Sequence, residues 1–305
     1  MSRVAAIDCG TNSVRLLVAD LGPDGSLTDL VREMRVVRLG QDVDRTGRLA
    51  PEAVERTLAA LADYAETARS LGASRVRMVA TSATRDAENS AEFSAAVHEV
   101  LGVAPDVISG EEEAALSFAG ATSGLRGDHE PALVVDIGGG STEFVLGAAG
   151  TVQASLSVDV GCVRLTERHL HDDPPTAEQV SAAVADVERV LAAVVAAVPV
   201  SSARTLVGVA GSVTTVAGIA LGLEAYDPVR IHHSVLSRDV VRATTDDLLA
   251  MTRVERAAIP VMHPGRVDVI GAGALVLATL VDRFGFGEVL VSEHDILDGI
   301  ALSLA

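Results

Sequence analysis

A short apolar run that ends in an aspartate and a glycine-containing turn occurs twice in this chain. The first copy ends at Asp8 and continues through Cys9-Gly10-Thr11-Asn12-Ser13, and the second ends at Asp136 and continues through Ile137-Gly138-Gly139-Gly140-Ser141. Each copy predicts a strand, a tight turn and a second strand, with a carboxylate at the turn entrance and exposed backbone N–H groups in the turn. Two such turns that face each other would hold a phosphate chain and its metal ion.

The elements around these turns predict an α/β fold that is built twice. Each half begins with a hairpin meander and continues with alternating helices and strands, and residues 122–131, rich in Gly, Asp and Ser, form the best linker. We therefore predict a first domain over residues 1–122 and a second over residues 123–293. A closing helix over residues 294–305 is expected to pack back on the first domain. The apolar pattern also predicts one long helix from Pro264 to Phe284.

The charged residues narrow the range of functions. All 24 basic residues are arginine and the net charge is −18, so sites that need a lysine, such as a Walker A loop or a Schiff base, are excluded. A basic surface for nucleic acid is not expected, although local arginines and a bound cation can still accept an anionic substrate. No apolar stretch approaches the roughly 20 residues of a membrane helix, and no signal peptide or CxxC pattern is visible. We expect a cytoplasmic protein that binds neither nucleic acid nor a membrane.

Three carboxylates beside the turns are candidate metal ligands, namely Asp8, Asp136 and Glu143. Mg²⁺ favours one or two carboxylates, with substrate phosphate oxygens and water in its other positions. An aspartate at the end of a strand can instead cap a turn. Glu143 follows Asp136 by seven residues across a hairpin, and this pairing favours a metal site.

The turns themselves are candidate phosphate sites. Consecutive backbone N–H groups in a glycine-rich turn form a nest for an anion without a helix dipole. A third element, from Gly208 to Thr215, has the order strand, turn and helix, and could receive a nucleoside or the far end of an anion chain. The candidate phosphate-binding residues are Thr11, Asn12, Ser13, Gly138, Gly139, Gly140, Ser141, Gly211 and Ser212.

An acidic run at a predicted helix start and an arginine after a predicted strand end are further candidate site residues. Glu111-Glu112-Glu113 follows Ser109-Gly110 at the start of a predicted helix, where acidic residues also stabilise the helix through its dipole. Arg85 follows the end of a short strand, where active-site loops commonly lie, although such an arginine can also be an ordinary surface residue. No HExxH or GxSxG pattern and no catalytic-cysteine context appears.

Taken in order, these segments resemble the exopolyphosphatase/guanosine pentaphosphate phosphohydrolase family. The resemblance covers essentially the whole chain and is carried by the two turns and by residues 81–89, 109–114, 160–166, 208–215 and 292–293. It implies two actin-like (ribonuclease H-like) domains with the active site in the cleft between them. It also implies that Asp8, Asp136 and Glu143 surround Mg²⁺, that Arg85 holds phosphate, and that Glu113 is the catalytic base.

The activity that this resemblance implies is Mg²⁺-dependent hydrolysis of the terminal phosphoanhydride bond of inorganic polyphosphate. A monovalent cation such as K⁺ could assist, and the family suggests a homodimer. Long family members carry a further helical C-terminal region after the part matched here, so short chains are the expected substrate. Guanosine pentaphosphate is an alternative substrate, and an actin-like kinase or a nucleotide- or alarmone-binding sensor of low turnover are alternative functions. The presence of Glu113 favours hydrolysis over sensing.

Overall fold

The computed structural model describes residues 2–23, 25–125 and 127–305, which form two compact units. Unit 1 comprises Met1–Ser123 together with Asp295–Ala305, and unit 2 comprises Gly124–His294. The chain therefore leaves unit 1 once and returns to it at Asp295. None of the helices in the described residues is both long and apolar enough to cross a membrane.

Unit 1 begins with the predicted meander and continues with alternating helices and strands. Its elements before the chain enters unit 2 are β1 (Ser2–Cys9), β2 (Ser13–Leu21), β3 (Leu27–Val36), α1 (Val43–Thr46), α2 (Pro51–Ser70), β4 (Arg75–Ala80), α3 (Ser82–Asp86), α4 (Ser90–Leu101), β5 (Asp106–Val107) and α5 (Gly110–Ala121).

Unit 2 repeats this plan with more helices, and the chain then returns to unit 1 as one further helix. The elements of unit 2 are β6 (Ala132–Ile137), β7 (Thr142–Ala148), β8 (Thr151–Val158), α6 (Cys162–His169), α7 (Ala177–Ala197), β9 (Thr205–Val209), α8 (Ala210–Ala220), α9 (Pro228–Ile231), β10 (Val235–Ser237), α10 (Arg238–Ala250), α11 (Arg253–Ala257), α12 (Ile270–Phe284) and β11 (Glu288–Val291). The returning helix is α13 (Ile296–Leu302).

The sheets of the two units share one topology. In unit 1 the strand order is β3-β2-β1-β4-β5, with an antiparallel meander from β1 to β3 and parallel pairs from β1 through β4 to β5. In unit 2 the order is β8-β7-β6-β9-β11-β10, again with an antiparallel meander followed by parallel pairs from β6 through β9 to β11. Unit 2 has one further strand, β10, which pairs antiparallel with β11 at the edge of the sheet. The predicted α/β class and its duplication are confirmed.

The first strand of each unit is central and buried, which explains its unbroken apolar sequence. Residues 4–9 of β1 and all residues of β6 are buried, as expected for a strand that is covered on both faces. Because each of these strands carries an aspartate near its C-terminal end, the two carboxylates, Asp8 and Asp136, occupy matching positions in the two sheets.

The sheet of unit 1 has an apolar core on each face. On one face, α2 and α4 supply Leu61, Tyr64 and Phe93 to the core. On the other face, Val4 and Leu17 pack in one cluster with Ile300 and its neighbours from α13. The residues after the chain's return therefore belong to the hydrophobic core of unit 1, and they cover a sheet face that would otherwise be exposed.

A close helix crossing brings α13 against α5. A Cβ atom added at Gly120 would lie 1.8 Å from Asp295 O, and one added at Gly299 would lie 1.9 Å from Leu116 O. The two helices therefore touch backbone to backbone, which requires glycine at both positions. Through this contact, α13 fixes the helix whose first turn carries Glu113.

The predicted helix from Pro264 to Phe284 is wrong in its first part. Pro264–Arg266 form a separate 3-10 turn, and α12 begins only at Ile270. The His263 side chain accepts a hydrogen bond from the Gly265 N–H at 3.1 Å, which caps this turn and separates it from the helix that follows. Residues 222–263 also contain elements that the sequence analysis does not predict, from α9 to α11.

Candidate active site

The first turn, in unit 1, follows β1 and is closed by a hydrogen bond from the Gly10 N–H to Ser13 O at 3.0 Å. Three amides of the segment after β3 hold the turn from outside. Those of Val37 and Arg38 donate to Asn12 O at 3.0 and 2.9 Å, and that of Gly40 donates to Thr11 O at 2.8 Å. Within the described residues, no acceptor takes the N–H groups of Thr11 and Asn12. These two groups can therefore donate to an anion.

Asp8 is paired across the hairpin with Arg15, its direct neighbour on β2. Arg15 Nε and Nη2 both donate to Asp8 Oδ2, at 2.9 and 2.7 Å, and Arg15 Nη1 donates to Asp295. Burial raises the pKa of the Asp8 carboxyl, against the opposing effect of the guanidinium. Burial also acts on Asp295, but there the Arg15 guanidinium and the Leu297 N–H outweigh it and lower the pKa.

The three glutamates at the start of α5 lie in different surroundings. Glu111 and Glu112 are exposed, and Glu112 pairs with Arg77 at 2.8 Å. Glu113 is buried, and its Oε2 lies 3.0 Å from Arg85 Nη1. The buried member of the acidic run is thus the one that the resemblance identifies as the base.

The position of Arg85 after a strand end predicts a loop, but Arg85 lies on the short helix α3. Its Nη1 donates to Ile108 O and to Glu113 Oε2, both at 3.0 Å. In the part of the chain that the structure describes, its Nη2 donates to no acceptor. The same helix reaches the first turn, because Ser82 Oγ lies 2.8 Å from Thr11 Oγ1. The turn, Arg85 and Glu113 are therefore connected within unit 1.

The second turn, in unit 2, has the same closure and rests on the start of α6. The Gly138 N–H donates to Ser141 O at 3.0 Å, and the first amides of α6 donate to Gly138 O and Gly139 O at 2.9 Å. A Cβ atom at Gly161 would lie 2.4 Å from Gly139 O, so this approach requires glycine. Among the described residues, the N–H groups of Gly139 and Gly140 have no acceptor.

Asp136 and Glu143 lie directly opposite each other on β6 and β7. Directly opposite side chains point to the same face, with Cβ atoms about 4.5–5.5 Å apart. Both residues are buried, at 7% and 1% exposed, and Ser157 Oγ donates to Glu143 Oε1 at 2.7 Å. Two buried carboxylates on one face can share a divalent cation, which balances their charges.

The donor chemistry of these carboxylates fits Mg²⁺. No group of three or more His, Cys, Asp or Glu side chains in the described residues is arranged to hold a metal ion. Mg²⁺ does not need such a group, because it takes one or two carboxylates and completes its shell with phosphate and water. Asp136 and Glu143 match that set. At Asp8, Oδ2 accepts both bonds from Arg15, while Oδ1 accepts none from the described residues.

The third predicted element differs from the expected strand, turn and helix. α8 begins at Ala210, which has a φ of 69°, directly after β9, so Gly211 and Ser212 lie in the first turn of the helix. A Cβ atom at Gly211 would lie 2.3 Å from Nη2 of Arg266, whose Nη1 donates to Thr215 Oγ1 at 3.1 Å. Glycine at 211 thus makes room for a guanidinium beside the helix start.

Arg266 is a candidate site residue that the sequence does not reveal. It forms no ion pair with a carboxylate of the described residues, and no local motif marks it. Its position depends on a contact with a residue far away in the sequence. Cys162, the first residue of α6, lies nearby: burial raises the pKa of its thiol, while a hydrogen bond with Ser212 and the charge of Arg266 oppose the shift. The second turn and the third element therefore meet in unit 2.

Comparisons with known proteins agree on one family. The Ppx/GppA phosphatase family matches residues 17–305. Exopolyphosphatase 2 of Mycobacterium tuberculosis is 53% identical over 100% of this chain and 99% of its own. The crystal structure of an exopolyphosphatase-like protein gives a TM-score of 0.95 at 44% identity, covering 100% of this chain and 98% of the other. The Aquifex aeolicus PPX-GPPA enzyme gives 0.82 at 32% identity, covering 99% of each chain. These matches confirm the family that the sequence resembles, and the solved structures confirm the α/β fold class.

Proposed function

The chain belongs to the Ppx/GppA phosphatase family, and from this premise we propose that it hydrolyses the terminal phosphoanhydride bond of inorganic polyphosphate, releasing orthophosphate. The observation that carries the proposal is the buried Glu113 carboxylate, which Arg85 holds at 3.0 Å at the start of α5. The name of the Mycobacterium tuberculosis relative supports the choice of substrate.

Glu113 acts as the general base in this proposal. Its ion pair with Arg85 favours the ionised carboxylate, which is the form that can accept a proton from water. The water oxygen then forms a bond to the terminal phosphorus as the bridging P–O bond breaks. The proton passes to Glu113, and the shortened chain leaves with the bridging oxygen.

Arg85 and the turn amides stabilise the charge on the phosphate groups. Arg85 presents Nη2, which no described residue occupies, while its Nη1 stays on Glu113. The free N–H groups of Thr11 and Asn12 in unit 1, and those of Gly139 and Gly140 in unit 2, donate to phosphate oxygens. In unit 2, Arg266 adds a cation beside Gly211 and Ser212.

The carboxylates Asp8, Asp136 and Glu143 are proposed to hold Mg²⁺. The buried pair on β6 and β7 supplies two carboxylates on one face, with Ser157 orienting Glu143. When bound, Mg²⁺ supplies positive charge to the phosphate oxygens and the leaving chain. A role for K⁺, a homodimer and a cytoplasmic location stay predictions.

Phosphate release from polyphosphates of defined length, guanosine pentaphosphate and ATP, measured with Mg²⁺, tests the proposal. The Glu113→Gln variant should lose about 10²–10⁴ in rate, because it removes the base and keeps the side-chain shape. Glu111→Gln is the matched control, since this exposed glutamate begins the same helix, and it should keep full activity.

Near-full activity of Glu113→Gln would refute the assigned base. Phosphate release from guanosine pentaphosphate but from no polyphosphate would refute polyphosphate as the substrate and support guanosine pentaphosphate. Transfer of phosphate from ATP to an acceptor would support the actin-like kinase, and tight binding without release would support the sensor.

A further inference from the structure

Arg15 lies between two buried aspartates, Asp8 and Asp295, and bonds to both. Its Nε and Nη2 donate to Asp8 Oδ2, and its Nη1 donates to Asp295 Oδ2. The side chains of Arg15, Asp8 and Asp295 are 19%, 7% and 4% exposed. One guanidinium is thus shared by two carboxylates in a largely desolvated place, and the three groups together carry a net charge of −1 when all are ionised.

Asp295 is held rigidly by the start of α13. Its Oδ1 accepts the Leu297 N–H at 3.0 Å, and its own N–H donates to Asp298 Oδ2 at 2.9 Å. An asparagine or serine could cap this helix equally well. Capping therefore does not explain why residue 295 is an aspartate whose second carboxylate oxygen accepts a hydrogen bond from Arg15.

The charge of Asp295 has a consequence for Asp8. If Arg15 had Asp8 as its sole partner, the two opposite charges would cancel, and Asp8 would attract a cation weakly. With Asp295 on the other edge of the guanidinium, part of the charge on Asp8 stays uncompensated. Oδ1 of Asp8 accepts no hydrogen bond from the described residues, so it is the oxygen that can bind a cation.

We propose that Asp295 is a positioning residue: by sharing Arg15, it holds the guanidinium that orients Asp8 and leaves part of the Asp8 charge uncompensated, so that Asp8 can hold the divalent cation of a phosphate substrate. This inference rests on the proposed function, in which Asp8 is one of the Mg²⁺ carboxylates. Asp295 itself touches Arg15 and the helix start of α13, and it acts on the cation through Asp8.

The same helix offers a matched control in Asp298. Its side chain is 2% exposed and pairs with Arg32, at 2.5 and 3.2 Å. Asp298 also belongs to the cap of α13, through its bond from the Asp295 N–H. Arg32 is not bonded to Asp8, so a change at Asp298 perturbs the helix and a buried ion pair without reaching the first turn.

The test compares Asp295→Asn with Asp298→Asn by direct titration of Mn²⁺, followed by electron paramagnetic resonance, and by the Mg²⁺ dependence of polyphosphate hydrolysis. Asparagine at 295 keeps the cap and removes one charge. The Kd for Mn²⁺ and the half-saturating Mg²⁺ concentration should rise on the order of tenfold in Asp295→Asn and stay unchanged in Asp298→Asn. Both variants should lower the melting temperature.

Equal Mn²⁺ affinity in wild type and Asp295→Asn, or equal weakening in both variants, would overturn the inference. Asp295→Ser is the second variant if the first does not fold, because serine also caps a helix but carries no charge. The Mn²⁺ titration needs no turnover. If the wild-type protein released phosphate from no substrate, the proposed function would fail, while the Mn²⁺ comparison would still decide the role of Asp295.

Discussion

The two aspartates near the C-terminal ends of β1 and β6 face partners of opposite charge. Asp8 faces Arg15 and Asp136 faces Glu143, and in both cases the partner follows by seven residues. The spacing alone predicts that each partner shares a sheet face with its aspartate. The sequence does not show that Arg15 is divided between two carboxylates, because its contact with Asp295 joins residues 280 positions apart.

The same limit applies to other residues of the site. Glu113 was identified from the resemblance, and its burial separates it from the exposed Glu111 and Glu112. Arg266 could not be found, since its place beside Gly211 depends on how α8 and the turn before α12 pack together. Local spacing thus predicts which side chains are neighbours within one hairpin. Contacts between elements far apart in the sequence can be identified only from the folded structure.

His263 gives a prediction about pH. Burial, and then the charge of Arg266, lower the pKa of its imidazole below the ordinary 6.5, and its Nδ1 must stay unprotonated to accept the Gly265 N–H. As the pH falls below about 6.5, the unfolded chain binds a proton at His263 that the folded state resists, so the free energy of unfolding decreases.

His263→Asn should remove this part of the pH dependence, because asparagine can cap the turn and does not titrate. Urea denaturation at several pH values measures the effect, which is bounded by about 1.4 kcal/mol per pH unit for one proton. The exposed His171, changed to Asn, is the control. An equal pH slope in His263→Asn and wild type would contradict the assignment.

At the scale of elements, the crossing of α5 and α13 depends on two glycines in backbone contact. Gly299→Ala or Gly120→Ala should destabilise unit 1, because the new methyl group would lie 1.9 or 1.8 Å from a carbonyl oxygen. Overpacking of this kind costs about 1–3 kcal/mol, which exceeds the roughly 1 kcal/mol that alanine gains over glycine within a helix.

Chemical denaturation measures this change in the free energy of unfolding. Gly287→Ala is the matched control, since a Cβ atom there would meet nothing within 4 Å and its φ is not in the left-handed region. Unchanged stability in both Gly299→Ala and Gly120→Ala would show that the helices can move apart without loss.

The elements that the sequence predicts well are those with a buried apolar run next to a glycine-containing turn, such as β1 and β6. Their neighbours in the meander follow from the same pattern. The start of α12 was misplaced because apolar residues continue through Pro264 and Gly265, and the cap by His263 is a side-chain contact. α10 begins at the Ser237 cap and buries Val241 and Leu248, so a serine cap followed by apolar residues seven apart marks this helix in the sequence.

At the scale of the whole molecule, each unit has apolar clusters of its own. Every buried residue of the largest cluster lies between Leu133 and Val291, and the other clusters lie within unit 1. Calorimetry should therefore resolve two unfolding transitions. Gly299→Ala should shift one of them, and Gly161→Ala, whose Cβ atom would lie 2.4 Å from Gly139 O, should shift the other.

A single transition that both variants shift together, with equal calorimetric and van't Hoff enthalpies, would contradict two independent cores.

The return of the chain to unit 1 at Asp295 also affects how unit 1 folds while the ribosome makes it. The ribosome makes β1 and β2 first, but the residues of α13 that cover Val4, Ala6 and Leu17 are made after all of Gly124–His294. At a synthesis rate of about 5–20 residues per second, the ribosome needs roughly ten to thirty seconds to make Gly124–His294, and α13 cannot cover the apolar sheet face before then. The sheet of unit 2 is also completed late, because β11 pairs between β9 and β10 and is made directly before α13. The nascent chain therefore exposes one defined apolar sheet face, and α13 covers it last.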